Sequence, residues 1–406
     1  MDGAAGHEPH WLEGTPGPAP EFAGHPPYNF VGGHVDPESV PVEAIREAAA
    51  AALAEEGASL AMYNATGPKG HLGLRRMTAG MLARRAGLRE DPEEVLVVSG
   101  SLQALDLVNR ALVGPGDAVP CELENYGGAL SRIRKRGAEP VGVETDAEGM
   151  RPDRLEAALA RLAAEGRRVS YVYLIPTVQN PTGTVMPEAR RREIAAIAAR
   201  YDATLFEDDC YADLVFSGAR PPAFRALAPE RTIYCGTYSK QIAPALRLGF
   251  LVADRPVLAR FVAMKSDAGT PAIEQMAIAR LGPVFDAHCR EVQAKLAEKC
   301  AVTCEALDAE FGAAAEYRRP EGGIFLWATL PEGVDTSRLA TAAAAEGVAI
   351  NPGAEWCADA EAGRRSFRLC FANAPEAAIR EGVAKLAEVC RREFGLPERS
   401  ANVVRG

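Results

Sequence analysis

No stretch of the 406-residue chain approaches the roughly 18 consecutive apolar residues of a membrane-spanning helix. The N-terminus also lacks a positively charged segment leading into an apolar run, so neither export nor membrane contact is expected and the protein is assigned to the cytoplasm. Paired cysteine motifs are missing too. The nine cysteines, Cys121, Cys210, Cys235, Cys289, Cys300, Cys304, Cys357, Cys370 and Cys390, are scattered and odd in number, which predicts reduced thiols. Cys300 and Cys304 share a predicted helix without a histidine or second cysteine pair nearby, so no metal is expected. A basic surplus is the third absence. Lys and Arg number 45 against 55 Asp and Glu, a net charge of -10 that argues against nucleic acid as a partner but leaves room for a local anion site.

Hydrophobic residues at 48% and charged residues at 25% match a soluble globular protein, and the length allows a large core that needs neither disulfides nor metals. Residues 1–27, rich in Gly, Pro and His, predict a flexible arm that leaves Trp11 and Tyr28 available for docking. Helical periodicity runs over Val42–Glu56 and Leu74–Ala86. Strands and helices then alternate: Val95–Val98, a helix from Ser101 through Leu112, Ala118–Cys121, a helix near 128–136, Val141–Glu144, a helix over Asp153–Leu162, Tyr171–Ile175, a helix over Pro187–Ala199, Thr204–Glu207 and Ile233–Gly236. Short apolar strands alternating with helices predict an α/β fold with a mostly parallel sheet, which binds ligands at the carboxyl ends of its strands. A long charged helix over Asp286–Phe311 then changes the texture. The expected division is an N-terminal arm over 1–41, a large domain over 42–282 and a smaller α+β domain over 283–406, without internal repeats.

Four segments follow predicted strands and carry polar chemistry. Gly236-Thr237-Tyr238-Ser239-Lys240, with Arg247 seven residues on, offers an imine-forming amine beside an anion clamp; alone, it also reads as a surface lysine in a polar loop. Glu207-Asp208-Asp209-Cys210-Tyr211 sets a carboxylate and a phenol at a strand end, where a helix cap or solvated loop is the simpler reading. Pro176 to Gly183 holds Asn180 between prolines, or is a plain turn. Ser99-Gly100-Ser101-Leu102 opens a helix whose free amides suit a phosphate, or is an ordinary cap.

Together these segments resemble, in order and spacing, the class I/II aminotransferases of fold type I, nearest the aminoadipate/kynurenine aminotransferases and the effector domains of MocR-type regulators. The resemblance runs from about Gly32 to Ala374 and includes Gly114-Pro115-Gly116-Asp117, Gly322-Gly323-Ile324-Phe325-Leu326-Trp327 and Phe367-Arg368-Leu369-Cys370-Phe371. It implies a large domain that binds pyridoxal 5'-phosphate, an amino acid and a 2-oxo acid as substrates, and a homodimer. Lys240 then corresponds to the Schiff-base lysine and proton shuttle, Asp208 to the partner of the pyridine nitrogen, and Tyr211 and Asn180 to the groups on the phenolic oxygen. Gly100, Ser101, Leu102, Ser239 and Arg247, with Thr237, correspond to the phosphate site, and Tyr126 to the aromatic on the ring face. Arg368 corresponds to the α-carboxylate fork, with Asn180 and Gly33 beside the substrate.

Departures from the family pattern fall around this core. Glu124 stands where relatives carry proline, as a solvated loop acid or an attraction for a cationic substrate. Tyr63, whose counterpart reaches the partner subunit's phosphate, opens a run to Gly70 two residues longer than usual. Trp356, where relatives often carry phenylalanine, reads as drift, the run Arg132, Arg134, Lys135 and Arg136 as a solvated face, and His34 as a structural histidine. Transamination is the expected reaction. A γ-elimination, γ-replacement or cyclisation on the same fold is the alternative, since it begins with the same deprotonation at Cα. A ligand-sensing regulator would need a basic DNA-binding module, which residues 1–40 are too short and too rich in Gly and Pro to supply.

Overall fold

The computed structural model describes residues 24–396 together with 15, 17–19 and 21; Trp11 and most of the expected arm over 1–27 lie outside them. At the centre is a seven-stranded sheet in the order Val95–Val98, Gly249–Val252, Thr232–Thr237, Leu205–Asp208, Val172–Leu174, Ala118–Glu122 and Glu139–Val143. Six of these strands are buried along their whole length, as a sheet covered by helices on both faces requires, while the edge strand Glu139–Val143 leaves Glu139 and Gly142 exposed.

Six of the seven strands point the same way, so their carboxyl ends, Val98, Glu122, Leu174, Asp208 and Thr237 among them, lie along one rim. Gly249–Val252 runs antiparallel to both neighbours, with Gly249 opposite Val98 on one side and Thr237 on the other. That reversal matters for the site. It delivers Arg247, just before the strand, to the rim where Ser99–Ser101 and Ser239–Lys240 leave it. The helix Ser101–Leu112 starts at the same rim and buries Ala104, Leu105, Leu107 and Val108, one face at helical spacing.

A second, four-stranded antiparallel sheet is built from Glu316–Tyr317, Phe325–Thr329, Ser366–Cys370 and Asn351–Pro352, in that order. Its register sets Arg368 between Trp327 and Asn351. The 29-residue helix Gly282–Glu310 precedes it in the chain. The segment after residue 27 is built into this region: Tyr28–Asn29 pairs in parallel with Val348–Ala349, and the Phe30 carbonyl accepts from the Cys370 amide at 2.8 Å. Lys299 pins it further on, donating to Asp36 at 2.9 Å and to the Ala372 carbonyl at 2.8 Å. Gly32 and Gly33 therefore cross the rim of the large sheet.

Candidate active site

A cavity of about 330 Å³ opens between the rim and the second sheet, and Gly33, Ser101, Leu102, Tyr126, Asn180, Asp208, Tyr211, Ser239, Lys240, Arg247 and Arg368 all line it. Gly100 and Thr237 stand behind its wall. A Cβ on Gly100, whose φ is +77°, would overlap the Arg247 guanidinium, so only glycine lets the two segments close up. The Thr237 hydroxyl donates to the Leu248 carbonyl at 3.0 Å and accepts from the Ser239 hydroxyl at 3.0 Å, and so holds the turn that leads to Lys240. Tyr63 is 91% exposed and outside this chain's own cavity.

Lys240 donates from Nζ to the Gly33 carbonyl at 2.6 Å and lies 5.8 Å from the centre of the Tyr211 ring. Burial pushes its amine below the usual lysine range; the Arg368 and Arg247 cations push the same way, against the Cys370 and Cys210 thiols. That shift favours the neutral amine, the nucleophilic form of the side chain.

Asp208 ends its strand 5% exposed. Its Oδ2 accepts from the Tyr173 hydroxyl at 2.7 Å, while its Oδ1 is buried without a partner. Burial raises this carboxyl above its ordinary value. An unsatisfied buried carboxylate oxygen costs free energy that a cationic N–H would recover. At the other end of the cavity the helix starting at Ser101 has no side-chain cap on Gly100, which leaves its first amides and the positive end of the dipole to an anion. Arg247, in the left-handed region at φ 52°, is held there by donating to the Pro244 carbonyl at 3.0 Å and the Ser99 carbonyl at 3.2 Å. A group with a protonated ring nitrogen at one end and a phosphate at the other, and a carbonyl for Lys240 between them, fits this donor set. Pyridoxal phosphate is such a group.

Arg368 is 2% exposed. It donates to the Asn180 Oδ1 at 3.0 Å, the Gly32 carbonyl at 3.0 Å and the Asn351 Oδ1 at 2.8 Å, all neutral acceptors, and its Nε is buried without a partner. The guanidinium carbon sits 3.8 Å from the Phe325 ring centre and 3.5 Å from that of Trp356. Burial pushes the group down to about 10. Because the Asn180 oxygen is engaged by Arg368, its amide N–H₂ remains for another partner; the Asn180–Pro181 bond that positions it is cis.

Several expectations need correction. Trp356, read as drift, is 7% exposed, lines the cavity and lies 5.8 Å from the Tyr126 ring. Tryptophan and phenylalanine differ little in apolar patterning, so only the contact with Arg368 reveals its place. Glu124 neither faces the cavity nor floats in solvent: it accepts from the Thr145 hydroxyl at 2.8 Å and lines a separate cavity of about 340 Å³. The basic run is the solvated face expected of it: Arg134, Lys135 and Arg136 are exposed and Arg132 is half-buried. From that face Arg134 donates to the Ala358 carbonyl at 2.9 Å and Arg136 to that of Val113 at 3.2 Å, while Arg132 bonds Asp106 at 2.9 Å. His34 packs 5.4 Å from His25, and burial lowers it below the usual histidine range.

Known proteins match along most of the chain. The family described as Aminotransferase class I and II matches residues 33–386. Aromatic-amino-acid aminotransferase 1 of Thermococcus litoralis is 35% identical over 90% of this chain and 88% of its own length. The crystal structure of the alpha-aminoadipate aminotransferase of Thermus thermophilus, complexed with N-(5'-phosphopyridoxyl)-L-leucine, superimposes with a TM-score of 0.83 at 34% identity, over 91% of this chain and 93% of that one. The uncharacterized HTH-type transcriptional regulator YisV of Bacillus subtilis is 32% identical over 80% of this chain and 66% of its own length. Aminotransferases named among these relatives favour transamination over γ-elimination, γ-replacement or cyclisation. The chain belongs to the class I and II aminotransferases, fold-type I enzymes that use pyridoxal phosphate to move an amino group between an amino acid and a 2-oxo acid.

Proposed function

We propose that Arg368 receives the α-carboxylate of the amino acid while Lys240 handles the proton at its Cα. The observation that carries this reading is the buried Arg368 fork without an anionic partner, facing the same cavity as Lys240. A bidentate carboxylate supplies the missing charge. Bound pyridoxal phosphate supplies an electron sink for the charge that develops at Cα. With that group bound, Asp208 would hold the ring nitrogen through its unpartnered Oδ1 and keep it protonated. The Tyr211 hydroxyl and the Asn180 amide would donate to the phenolic oxygen, and Tyr126 would cover a ring face. Ser101, Ser239, Arg247 and the amides of Gly100 to Leu102 would hold the phosphate, with Thr237 bracing Ser239. Lys240 would anchor the group, and the Gly33 carbonyl orients its amine. Its Nζ is the base that would take the Cα proton of the substrate and later return it.

The active form is a homodimer. In the stretch of chain from Val42 to Leu72, Val42, Leu53, Leu60, Met62, Tyr63 and Leu72 leave large side chains exposed, which a second copy would cover while Tyr63 reaches the partner's phosphate site. Sedimentation should then give twice the 43.1 kDa chain mass. Nine buried free cysteines support a reducing, cytoplasmic setting; among the described residues no helix is long and apolar enough to cross a membrane.

Mixing the enzyme with a panel of α-amino acids and a 2-oxo acid acceptor tests the reaction. Expected are a change in the visible absorbance of the cofactor and release of the 2-oxo acid of the donor. Loss of a γ-substituent without amino transfer contradicts it.

A further inference from the structure

Behind the cavity wall, three buried charged side chains and the half-buried Arg85 join the two segments that carry the proposed catalytic groups. Asp209, next to Asp208, is paired with Arg220 Nη2, and Arg220 Nη1 lies 3.3 Å from Asp213 Oδ1. The same Asp213 oxygen is 2.9 Å from Arg85 Nε. Asp213 Oδ2 accepts from Gln241 at 3.3 Å, and Gln241 is the neighbour of Lys240. Gln293, on the long helix, donates to the Asp213 carbonyl at 2.7 Å, and His288 on that helix contacts the Gln241 carbonyl at 2.7 Å. Tyr211 sits between the two acids on a turn closed by Ala212 to Asp209 and Leu214 to Tyr211 hydrogen bonds. Asp213 is 6% exposed, and neither it, Asp209 nor Arg220 lines the cavity.

We propose that Asp213 is a positioning residue for the amino-transfer reaction, holding the Asp208–Tyr211 turn and the Lys240–Gln241 segment in one fixed relation through Arg220 and Gln241. The inference rests on the roles proposed above for Lys240, Asp208 and Tyr211. With Asp286 and Arg84 at its outer edge, three arginines face three aspartates, so the group is neutral and holds its geometry without adding net charge to the site. Each acid anchors a different segment. Asp209 fixes the end of the strand Leu205–Asp208, and Asp213 fixes the chain just beyond Lys240. A loose joint between them separates the proton-carrying Nζ from the groups that orient the ring, and displacements of about 1 Å cost catalysis on the order of 100-fold.

Asp213→Asn in the holoenzyme tests this, with Asp286→Asn as the control. Asp286 shares Arg85 with Asp213, at 3.0 Å, but not the hydrogen bond to Gln241, so both variants weaken the fold around Arg85 while only one touches the Lys240 segment. The readout is the pH midpoint at which the visible absorbance of the bound cofactor changes, together with kcat and KM. Lys240 faces Arg368, Arg247, His34, Cys210, Cys370 and the Tyr211 ring, and Asp208 lines the same cavity. Removing the Asp213 charge makes the cluster more positive by one unit, with Arg220 left to Asp209 and Arg85 to Asp286, which disfavours a proton on the Lys240 nitrogen. Asp213→Asn should lower the midpoint by about one pH unit and kcat about 10-fold, with KM changed less than about 2-fold. Asp286→Asn should leave all three near wild type. Should Asp213→Asn not fold, Gln241→Leu cuts only the link to Lys240 and should lower kcat by a similar factor. A midpoint and kcat that stay at wild-type values, or move equally in the control, overturn the proposal. Cofactor absorbance that is indifferent to Lys240→Ala would instead overturn the reading beneath it.

Discussion

Arg220 and Arg368 are both long buried cations, and they differ in what surrounds them. Burial alone would lower Arg220, but Asp209, Tyr234 and Asp213 overcome it and raise the group beyond the ordinary arginine range. Arg368 has burial without an anion, and is pushed down to about 10. The fold gives Arg220 two anionic partners, Asp209 and Asp213, although its Nε, like that of Arg368, makes no hydrogen bond. Arg368 is satisfied only by neutral acceptors and by two aromatic faces, so its charge is available to a ligand. A buried charge completed within the chain reads as architecture, and one left incomplete reads as a site. Among the described residues Asp208 has no cationic partner and follows the second rule, while its neighbour Asp209, whose Oδ1 also lacks a hydrogen bond, has its charge matched by Arg220 and follows the first.

The largest effect is expected where the cavity's chemistry converges. Lys240→Ala should reduce amino transfer by at least about four orders of magnitude and alter the visible spectrum of the bound cofactor, measured with the donor amino acid saturating. Next is Arg368→Met. Loss of about 2–4 kcal/mol of carboxylate binding corresponds to a fall in kcat/KM of roughly 30- to 1000-fold. Its stability should move little, within about 1 kcal/mol in urea unfolding, because it removes a buried cation that had no anion. Arg220→Met should do the reverse: a loss of about 3–5 kcal/mol in stability, since Asp209 is left without a cation and Asp213 keeps only Arg85. Equal stability losses in the two methionine variants would break the contrast between the two arginines. The smallest effect belongs to Trp356→Phe, which keeps an aromatic face on Arg368 but a weaker one, and should raise KM for the amino acid about 2- to 5-fold.

Much of this was legible in the residues. Val42–Glu56 ends where its periodicity does, and the segments that end strands on one rim, from Gly100 to Arg247, meet as their shared spacing implied. Direction was not legible. Gly249–Val252 is four apolar residues that read alike either way, yet its reversal is what brings Arg247 to the rim. Trp356 could not be assigned because its role arises from stacking on Arg368 across two strands of the second sheet's edge region, not from any local pattern. The same holds for Asp213, whose partners Arg85, Arg220 and Gln241 come from three separate stretches of chain. Charged residues of that kind look like surface until the fold buries them.

The most direct measurement compares an α-amino acid with the amine formed by its decarboxylation, as ligands of the wild-type holoenzyme and of Arg368→Met. Wild type should bind the amino acid at least about 30-fold more tightly than the amine, and the variant should lose most of that preference while binding the amine unchanged. A variant that still prefers the carboxylate as strongly as wild type would contradict the assignment of Arg368, and with it the orientation of substrate over Lys240.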